Sequence, residues 1–191
     1  MSKIRNLKSR TWAEVDLDCL EYNYRAQAEM HKGKARICCV VKANAYGHGA
    51  AEISRTLEEL GADFFAVADI DEAIRLRDSG VRSSILILGY TPPENAKLLA
   101  EKQISQCVYS YEYAKQLAHE ATLAGVRIRV HFKIDTGMGR IGFVFRHSKD
   151  ESLSELLKAC ALAPFIHEGI FTHFPASDTL GSGQNFTQQQ F

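Results

Sequence analysis

The sequence lacks long apolar runs, an excess of either charge, and paired cysteines. Apolar runs such as residues 37–41 and 85–88 are far too short to span a bilayer, and the N-terminus has no secretory h-region. The 23 basic and 23 acidic side chains cancel, which argues against binding to nucleic acid or an anionic membrane surface. The five cysteines are scattered and form no CxxC pair, as expected for reduced thiols. We therefore expect a cytoplasmic protein.

Short apolar runs alternate with longer helical stretches along the chain. Strands are predicted over residues 11–17, 35–41, 64–68, 85–88, 105–108, 128–134 and 170–174. Helices are predicted over 18–30 (capped by Asp18), 50–60, 69–79, 95–102, 111–124 and 151–161. Such strand–helix repeats indicate an α/β fold with a parallel sheet covered on both faces. Periodicity alone leaves an open doubly wound sheet and a (β/α)₈ barrel as alternatives.

The length of the chain bears on that choice. A barrel takes about 250 residues, so six strand–helix units in 191 residues leave two units missing. Residues 181–191 are typical of a loop entering a helix. We therefore expect the chain to be a fragment of a longer protein.

Three short motifs match known sites by accident. Residues 137–142 fit the GxGxxG dinucleotide pattern, but the residues after them are poor helix formers, and the motif needs a helix there. Residues 135–137 imitate an aspartic-protease triplet, which an α/β pattern does not support. His167-Glu168 lacks the second histidine of a zinc-protease motif, and the seven histidines show no ligand spacing. We expect no metal site.

Lys42 is the first candidate for chemistry. It follows an apolar run and so lies at the carboxyl end of a predicted strand, where barrels and open α/β sheets place reactive groups. Partial burial there would favour the neutral amine needed for a Schiff base. The small residues and glycines of 43–50 let the backbone approach a ligand, and Tyr46 can offer a hydroxyl to a phosphate. A lysine whose head simply reaches solvent is the alternative.

Lys133 is the second candidate, on a predicted strand with one apolar and one charged face. The charged face carries Arg127, Arg129, His131, Lys133 and Asp135. An edge strand with a solvated face is one explanation. The other is that Lys133 and Arg140 converge on a ligand at the barrel mouth, because a buried charged face is costly unless its members are paired.

Four segments of the sequence resemble motifs of the alanine racemase family. Residues 40–49 (VVKANAYGHG) resemble its pyridoxal 5'-phosphate attachment motif, and residues 11–17 (TWAEVDL) its opening segment. Residues 133–142 and 171–174 match two further motifs in the same order. The resemblance implies the (β/α)₈ TIM-barrel type of pyridoxal-phosphate enzyme (fold type III), with about the first six β/α units present. Residues 1–191 would be the N-terminal part of that barrel, and the β-rich C-terminal domain would be absent.

The resemblance also implies a role for each site residue. Lys42 would hold the cofactor covalently and act as the base for the Cα proton of the D-enantiomer. Tyr46 would bond the cofactor phosphate. Arg140 would contact the cofactor's phenolic oxygen and the substrate carboxylate, a task suited to a guanidinium. Lys133 would be a carbamylated lysine that orients this arginine. His173 would lie beside the cofactor ring.

The implied function is interconversion of L- and D-alanine, which supplies D-alanine for peptidoglycan, in a homodimer. The second catalytic base, a tyrosine of the partner subunit in this family, and the arginine at the pyridine nitrogen would lie beyond Phe191. A serine racemase on the same barrel is one alternative. A non-catalytic barrel protein of pyridoxal-phosphate homeostasis is another, although its lysine motif differs.

Overall fold

A parallel sheet forms the centre of the computed structural model, which describes residues 11–145, 152–178 and 181–190, with side chains throughout except at residues 182–185. The strands are β1 (Cys39–Val40), β2 (Phe64–Val67), β3 (Ser84–Ile87), β4 (Ile104–Val108), β5 (Ile128–Asp135), β6 (Phe143–Val144) and β7 (Phe165–Phe171). The helices are α1 (Leu17–His31), α2 (Lys42–Tyr46), α3 (Ala50–Glu59), α4 (Ile70–Asp78), α5 (Ala96–Glu101, after a 3₁₀ turn Pro93–Asn95), α6 (Tyr111–Leu123), α7 (Ser152–Cys160) and α8 (Ser182–Gln190).

The strand order confirms the first part of a parallel β/α barrel. Strands β1 to β5 pair in sequence, β7 pairs with β5, and every pairing is parallel. The short β6 pairs with the last two residues of β5. Each of β1, β2, β3, β4, β5 and β7 is followed by at least one helix, which gives the six units that the sequence predicts.

The barrel is open between β1 and β7. Within the described residues β1 pairs only with β2, and β7 only with β5. Val40 on β1 is 40% exposed and Ile170 on β7 is 62% exposed, although a strand of a closed barrel is covered on both faces. These two exposed side chains lie on the two strands at the open side of the barrel in the described part of the chain.

The apolar core lies between the sheet and its helices. Its largest fully buried side chains include Phe65, Ile85, Ile87, Leu99, Ile104, Leu117 and Ile128. Burying one such side chain contributes roughly 1.5–3 kcal/mol, so this layer is the main source of stability. None of the helices in the described part of the chain has both the length and the apolar character of a membrane span.

Three predicted strands and one predicted helix cap need correction. Residues 11–16 lie outside any helix or strand, and the predicted strand over 11–17 is wrong. Asp16 caps α1, because its side chain accepts hydrogen bonds from the amides of Asp18 and Cys19, so the predicted cap at Asp18 is also wrong. The strand predicted over 35–41 shrinks to β1, which lies at the open edge and has one neighbour. The strand predicted over 170–174 begins at Phe165, because β7 pairs with β5 along its length.

The charged face of β5 lies inside the barrel. Strand β5 is central, between β4 and β7, so the explanation as an edge strand is wrong. Its apolar residues pack against the helices, and its charged residues point the other way. There Glu168 accepts hydrogen bonds from Ser105 Oγ and from Arg129 (2.6 Å), and its Oε2 lies 3.6 Å from His131 Nε2. We call Ser105, Arg129, His131 and Glu168 the lumen network.

A β-bulge places Glu168 in the lumen network. Val130 pairs with His167 and His131 pairs with Gly169, so Glu168 is an extra residue on β7. Gly169 is required at this point, because a Cβ there would lie 2.8 Å from His131 Nδ1. The bulge thus redirects one carboxylate toward the charges of β5.

The lumen network should make stability depend on pH. Burial lowers the pKa of His131, and the Glu168 carboxylate only partly offsets this effect. Burial alone would raise the pKa of Glu168, but hydrogen bonds from Ser105 and Arg129 and the charge of Arg129 outweigh it and hold this pKa below its ordinary value. Both groups therefore bind fewer protons in the folded than in the unfolded state, and acidification favours unfolding.

We expect the free energy of unfolding to fall in two stages on acidification. The His131 contribution is lost from about pH 6.5 downward, and the Glu168 contribution only below about pH 4.3. In His131→Gln the first stage should become smaller, leaving the part due to His173, whose pKa is also lowered, while His119→Gln, which replaces an exposed histidine of α6, should keep the whole first stage. Urea unfolding at several pH values between 7.5 and 5.0 measures this, and an unchanged first stage in His131→Gln would contradict it.

Candidate active site at the carboxyl ends of the strands

The sequence-predicted site residues all lie at the carboxyl ends of the parallel strands. Lys42 begins α2 directly after β1, and Tyr46 ends that turn. Lys133 lies near the end of β5, Arg140 follows in the loop before β6, and His173 lies two residues after β7. In parallel sheets this end is where ligands bind.

Lys42 precedes a turn of left-handed helix. Ala43, Asn44, Ala45 and Tyr46 have φ between 50° and 54°. For non-glycine residues this conformation costs roughly 1–2 kcal/mol each, so surrounding contacts must hold it. The turn places the ring of Tyr46 next to Lys42, whose Nζ lies 6.0 Å from the ring centroid.

Hydrogen bonds hold this turn from both sides. Within it, the amide of Ala45 donates to Val41 O and that of Gly47 to Ala43 O. Asn44 Oδ1 accepts from the amide of Ala50 and so ties the turn to the start of α3. The Glu72 carboxylate accepts from the amide of Ala43, the residue after Lys42. Sequence reasoning missed Glu72.

Lys133 is a buried amine to which no carboxylate of the described residues is bound. Its side chain is 4% exposed, and its Nζ lies 4.7 Å from the ring centroid of Phe171, within cation–π distance. Among the described residues it forms no hydrogen bond or ion pair. Burial lowers the pKa of Lys133, and the charge of Arg140 adds to this effect, while Cys107 and Asp135 oppose it.

Asp135 shapes the loop that carries Arg140. Its Oδ1 accepts hydrogen bonds from the amides of Gly137 (2.9 Å) and Gly139 (3.0 Å). The loop then returns to β5 at Gly142, where a Cβ would lie 2.8 Å from the amide nitrogen of Asp135. The glycines therefore serve a tight loop. No helix begins there, in agreement with the rejection of the dinucleotide motif.

The charges of the other site residues act on His173. Burial lowers the pKa of His173, and the charges of Arg140, Lys133 and Lys42 lower it further. Side chains at the ends of β1 and β5 therefore act on an imidazole that follows β7. A second link joins the same strand ends, because Thr136 Oγ1 lies 2.9 Å from Thr172 Oγ1. Neither threonine was predicted from the sequence to belong to the site.

The charge of the site suits an anionic ligand. The positive charges of Lys42, Lys133 and Arg140 all act on His173, and no acidic side chain of the described residues forms an ion pair with any of the three. A primary amine and a guanidinium at this end can bind a phosphate ester, a carboxylate and a carbonyl carbon. The residues present therefore fit a phosphorylated aldehyde cofactor such as pyridoxal 5'-phosphate.

Fold and site together define a class, the α/β-barrel proteins with a lysine-based site at the carboxyl ends of the strands. Residues 15–191 match the family described as "Alanine racemase, N-terminal domain". The chain is 46% identical over 180 residues to an alanine racemase of Clostridium perfringens, and the match covers 94% of this chain and 45% of the relative. The chain belongs to the alanine racemase family, as the resemblance predicts.

Two solved structures support the same assignment. One is an alanine racemase of Clostridium difficile 630 in complex with cycloserine, with 38% identity and a TM-score of 0.88, covering 97% of this chain and 50% of that chain. The other is a histidine racemase from Leuconostoc mesenteroides subsp. sake, with 30% identity and a TM-score of 0.81, covering 91% of this chain and 46% of that chain. The chain thus spans about half the length of these relatives.

Proposed function

We propose that residues 1–191 are the N-terminal part of the pyridoxal-phosphate-binding barrel of an enzyme that interconverts L- and D-alanine. The observation that carries the proposal is that Lys42, Lys133, Arg140 and His173 all lie at or just after the carboxyl ends of β1, β5 and β7 in a chain of the alanine racemase family. We use "parent polypeptide" for the full-length gene product, which we propose to include a β-rich domain after this chain. The parent is proposed to be a cytoplasmic homodimer that supplies D-alanine for peptidoglycan.

When bound, pyridoxal 5'-phosphate supplies an electron sink for the pair of electrons left on Cα. Lys42 Nζ would attach the cofactor and accept the Cα proton of D-alanine. Tyr46 would donate its hydroxyl to the cofactor phosphate. Arg140 would hold the substrate carboxylate with two parallel hydrogen bonds and would also contact the cofactor's phenolic oxygen. His173 would lie beside the cofactor ring.

The test is a racemase assay of the parent polypeptide with pyridoxal phosphate. Incubation with D-alanine, followed by a coupled L-alanine dehydrogenase, should show turnover, and the reverse reaction should proceed as well. D-Serine and D-histidine in parallel test other substrates on this barrel, and higher kcat/KM for either would contradict the assignment to alanine. Cofactor binding without turnover of any amino acid would favour a role in cofactor homeostasis.

Lys133 is proposed to be carbamylated in the parent polypeptide. Two cations in a partly dry site repel each other unless an anion intervenes. A neutral Lys133 amine can add CO₂ and release one proton, which gives a carbamate anion next to the Arg140 guanidinium. The lowered pKa of Lys133 favours the neutral amine that this addition needs.

We expect an electron-density map of the parent to show the carbamate on Lys133, hydrogen-bonded to Arg140. Lys133→Ala should raise the KM for alanine about 10–100-fold, the usual effect of losing a hydrogen bond to a charged group. Added acetate should restore part of this loss by replacing the missing anion. A bare ammonium against Arg140, with no anion near it, would contradict the expectation.

A further inference from the structure

Glu72 links the turn that carries Lys42 to the neighbouring strand. It lies in the first turn of α4, and its own amide is fixed by Asp69 Oδ1 at 2.9 Å. One carboxylate oxygen accepts from the amide of Ala43 at 2.6 Å, and the other from the amide of Ala68 at 2.8 Å. Ala68 directly follows β2, so one carboxylate joins the carboxyl ends of β1 and β2.

A capping role for α4 does not explain this arrangement. In a capping box the glutamate at this position bonds the amide of the N-cap residue, which here is Asp69. The Glu72 side chain instead accepts hydrogen bonds from the amide of Ala68, the residue before Asp69, and from the amide of Ala43, 29 residues earlier in the chain than Glu72. Neither carboxylate oxygen therefore caps the N-cap amide, and one of the two serves a segment far from α4 in sequence.

The hydrogen bond from Ala43 to Glu72 involves the peptide bond between Lys42 and Ala43, which determines the direction of the Lys42 side chain. The first amides of a helical turn have no partner within the turn, and Ala43 has the first amide after Lys42. Its left-handed conformation is strained in a residue with a Cβ. A charge-assisted hydrogen bond at that amide holds the peptide in place and thereby fixes where the Lys42 side chain starts.

We propose that Glu72 is a positioning residue for Lys42, whose carboxylate holds the strained turn so that the lysine amine is aimed into the site. The inference rests on the proposed function for the role of Lys42, but the clamp itself can be measured without any activity. Glu72 acts through the backbone of Ala43 and contacts neither substrate nor cofactor in this proposal.

The experiment compares Glu72→Gln with Asp71→Asn in the parent polypeptide. Both remove one negative charge from the first turn of α4, and Asp71 is exposed. Glu72→Gln should speed amide hydrogen exchange at Ala43 at least about tenfold, the effect of weakening a charge-assisted hydrogen bond. Exchange at Val130 in β5 should not change. Asp71→Asn should leave both amides as in the wild type.

The same variants separate positioning from a merely structural role. Glu72→Gln should slow covalent attachment of pyridoxal phosphate to Lys42 and lower kcat for alanine, each about tenfold or more, with KM unchanged. Faster exchange at Ala43 with normal attachment and kcat would overturn the proposal. If the wild type does not attach the cofactor at Lys42, the proposed function fails, whereas the exchange result tests the clamp independently.

Ala43→Gly provides the rescue. Glycine adopts the left-handed conformation without strain. Cofactor attachment in Ala43→Gly/Glu72→Gln should therefore be at least about threefold faster than in Glu72→Gln. If Glu72→Gln does not fold, recovery of the fold in the double variant supports the proposal and continued failure overturns it. A double variant no better than Glu72→Gln also overturns it.

Discussion

Replacing Lys42 by alanine in the parent polypeptide should abolish racemisation and covalent binding of pyridoxal phosphate together. Lys42 is the lysine at the end of β1, and the left-handed turn after it places Tyr46 beside its amine. Loss of a general base alone costs roughly 10²–10⁴-fold in rate, and loss of the attachment point adds to that. We expect residual activity near the background of the assay.

Two control variants make this result specific. Lys34→Ala removes an exposed lysine in the segment before β1 and should keep full activity. Lys133→Ala should retain covalent binding while its KM for alanine rises. If Lys42→Ala kept more than about a tenth of the wild-type rate, a loss far smaller than a missing general base causes, another group would be the base.

The second large effect concerns the chain on its own. Residues 1–191 should racemise alanine far more slowly than the parent, because racemisation needs a base on each face of Cα and this chain is proposed to supply only Lys42. The missing base accounts for roughly 10²–10⁴-fold, and misplacement of the cofactor by about 1 Å for a further ~10²-fold.

The open barrel adds a folding difficulty to this prediction. Val40 and Ile170 are exposed on the two unpaired edges, and a cavity of about 530 Å³ lies next to α1 and β1. Such edges favour self-association. The assay compares purified 1–191 with the parent at equal cofactor and D-alanine, with light scattering as a check. Turnover of 1–191 near that of the parent, and lost in Lys42→Ala, would contradict the prediction.

Buried strands were the most predictable part of the fold. Strands β2 and β3 lie within one residue of the apolar runs that predict them, because both of their faces are covered and nearly every residue is apolar. Strand β7 was harder, since His167 and Glu168 interrupt its apolar pattern. Glu168 belongs to the lumen network, which satisfies its carboxylate, whereas His167 packs edge-on against Phe132 on the other face of the sheet, and only the paired strand shows this division.

The candidate site was predictable as residues but not as geometry. The sequence places Lys42 at a strand end, yet it gives no sign of the left-handed turn, because the alanines and the tyrosine of that turn ordinarily avoid that conformation. The role of Glu72 could not be predicted from the sequence for a related reason. Asp69 and Glu72 form the spacing of an ordinary capping box, so the pattern predicts a local contact where the structure has a link between strands.

The most direct test of the central claim is to map the lysine that binds the cofactor. The parent polypeptide is incubated with pyridoxal phosphate, reduced with borohydride, digested, and analysed by mass spectrometry. We predict one pyridoxyl group, carried by Lys42 in the peptide that contains the ANAYGHG sequence of residues 43–49. A label on Lys133 or any other lysine, with Lys42 unmodified, would contradict the assignment of the site.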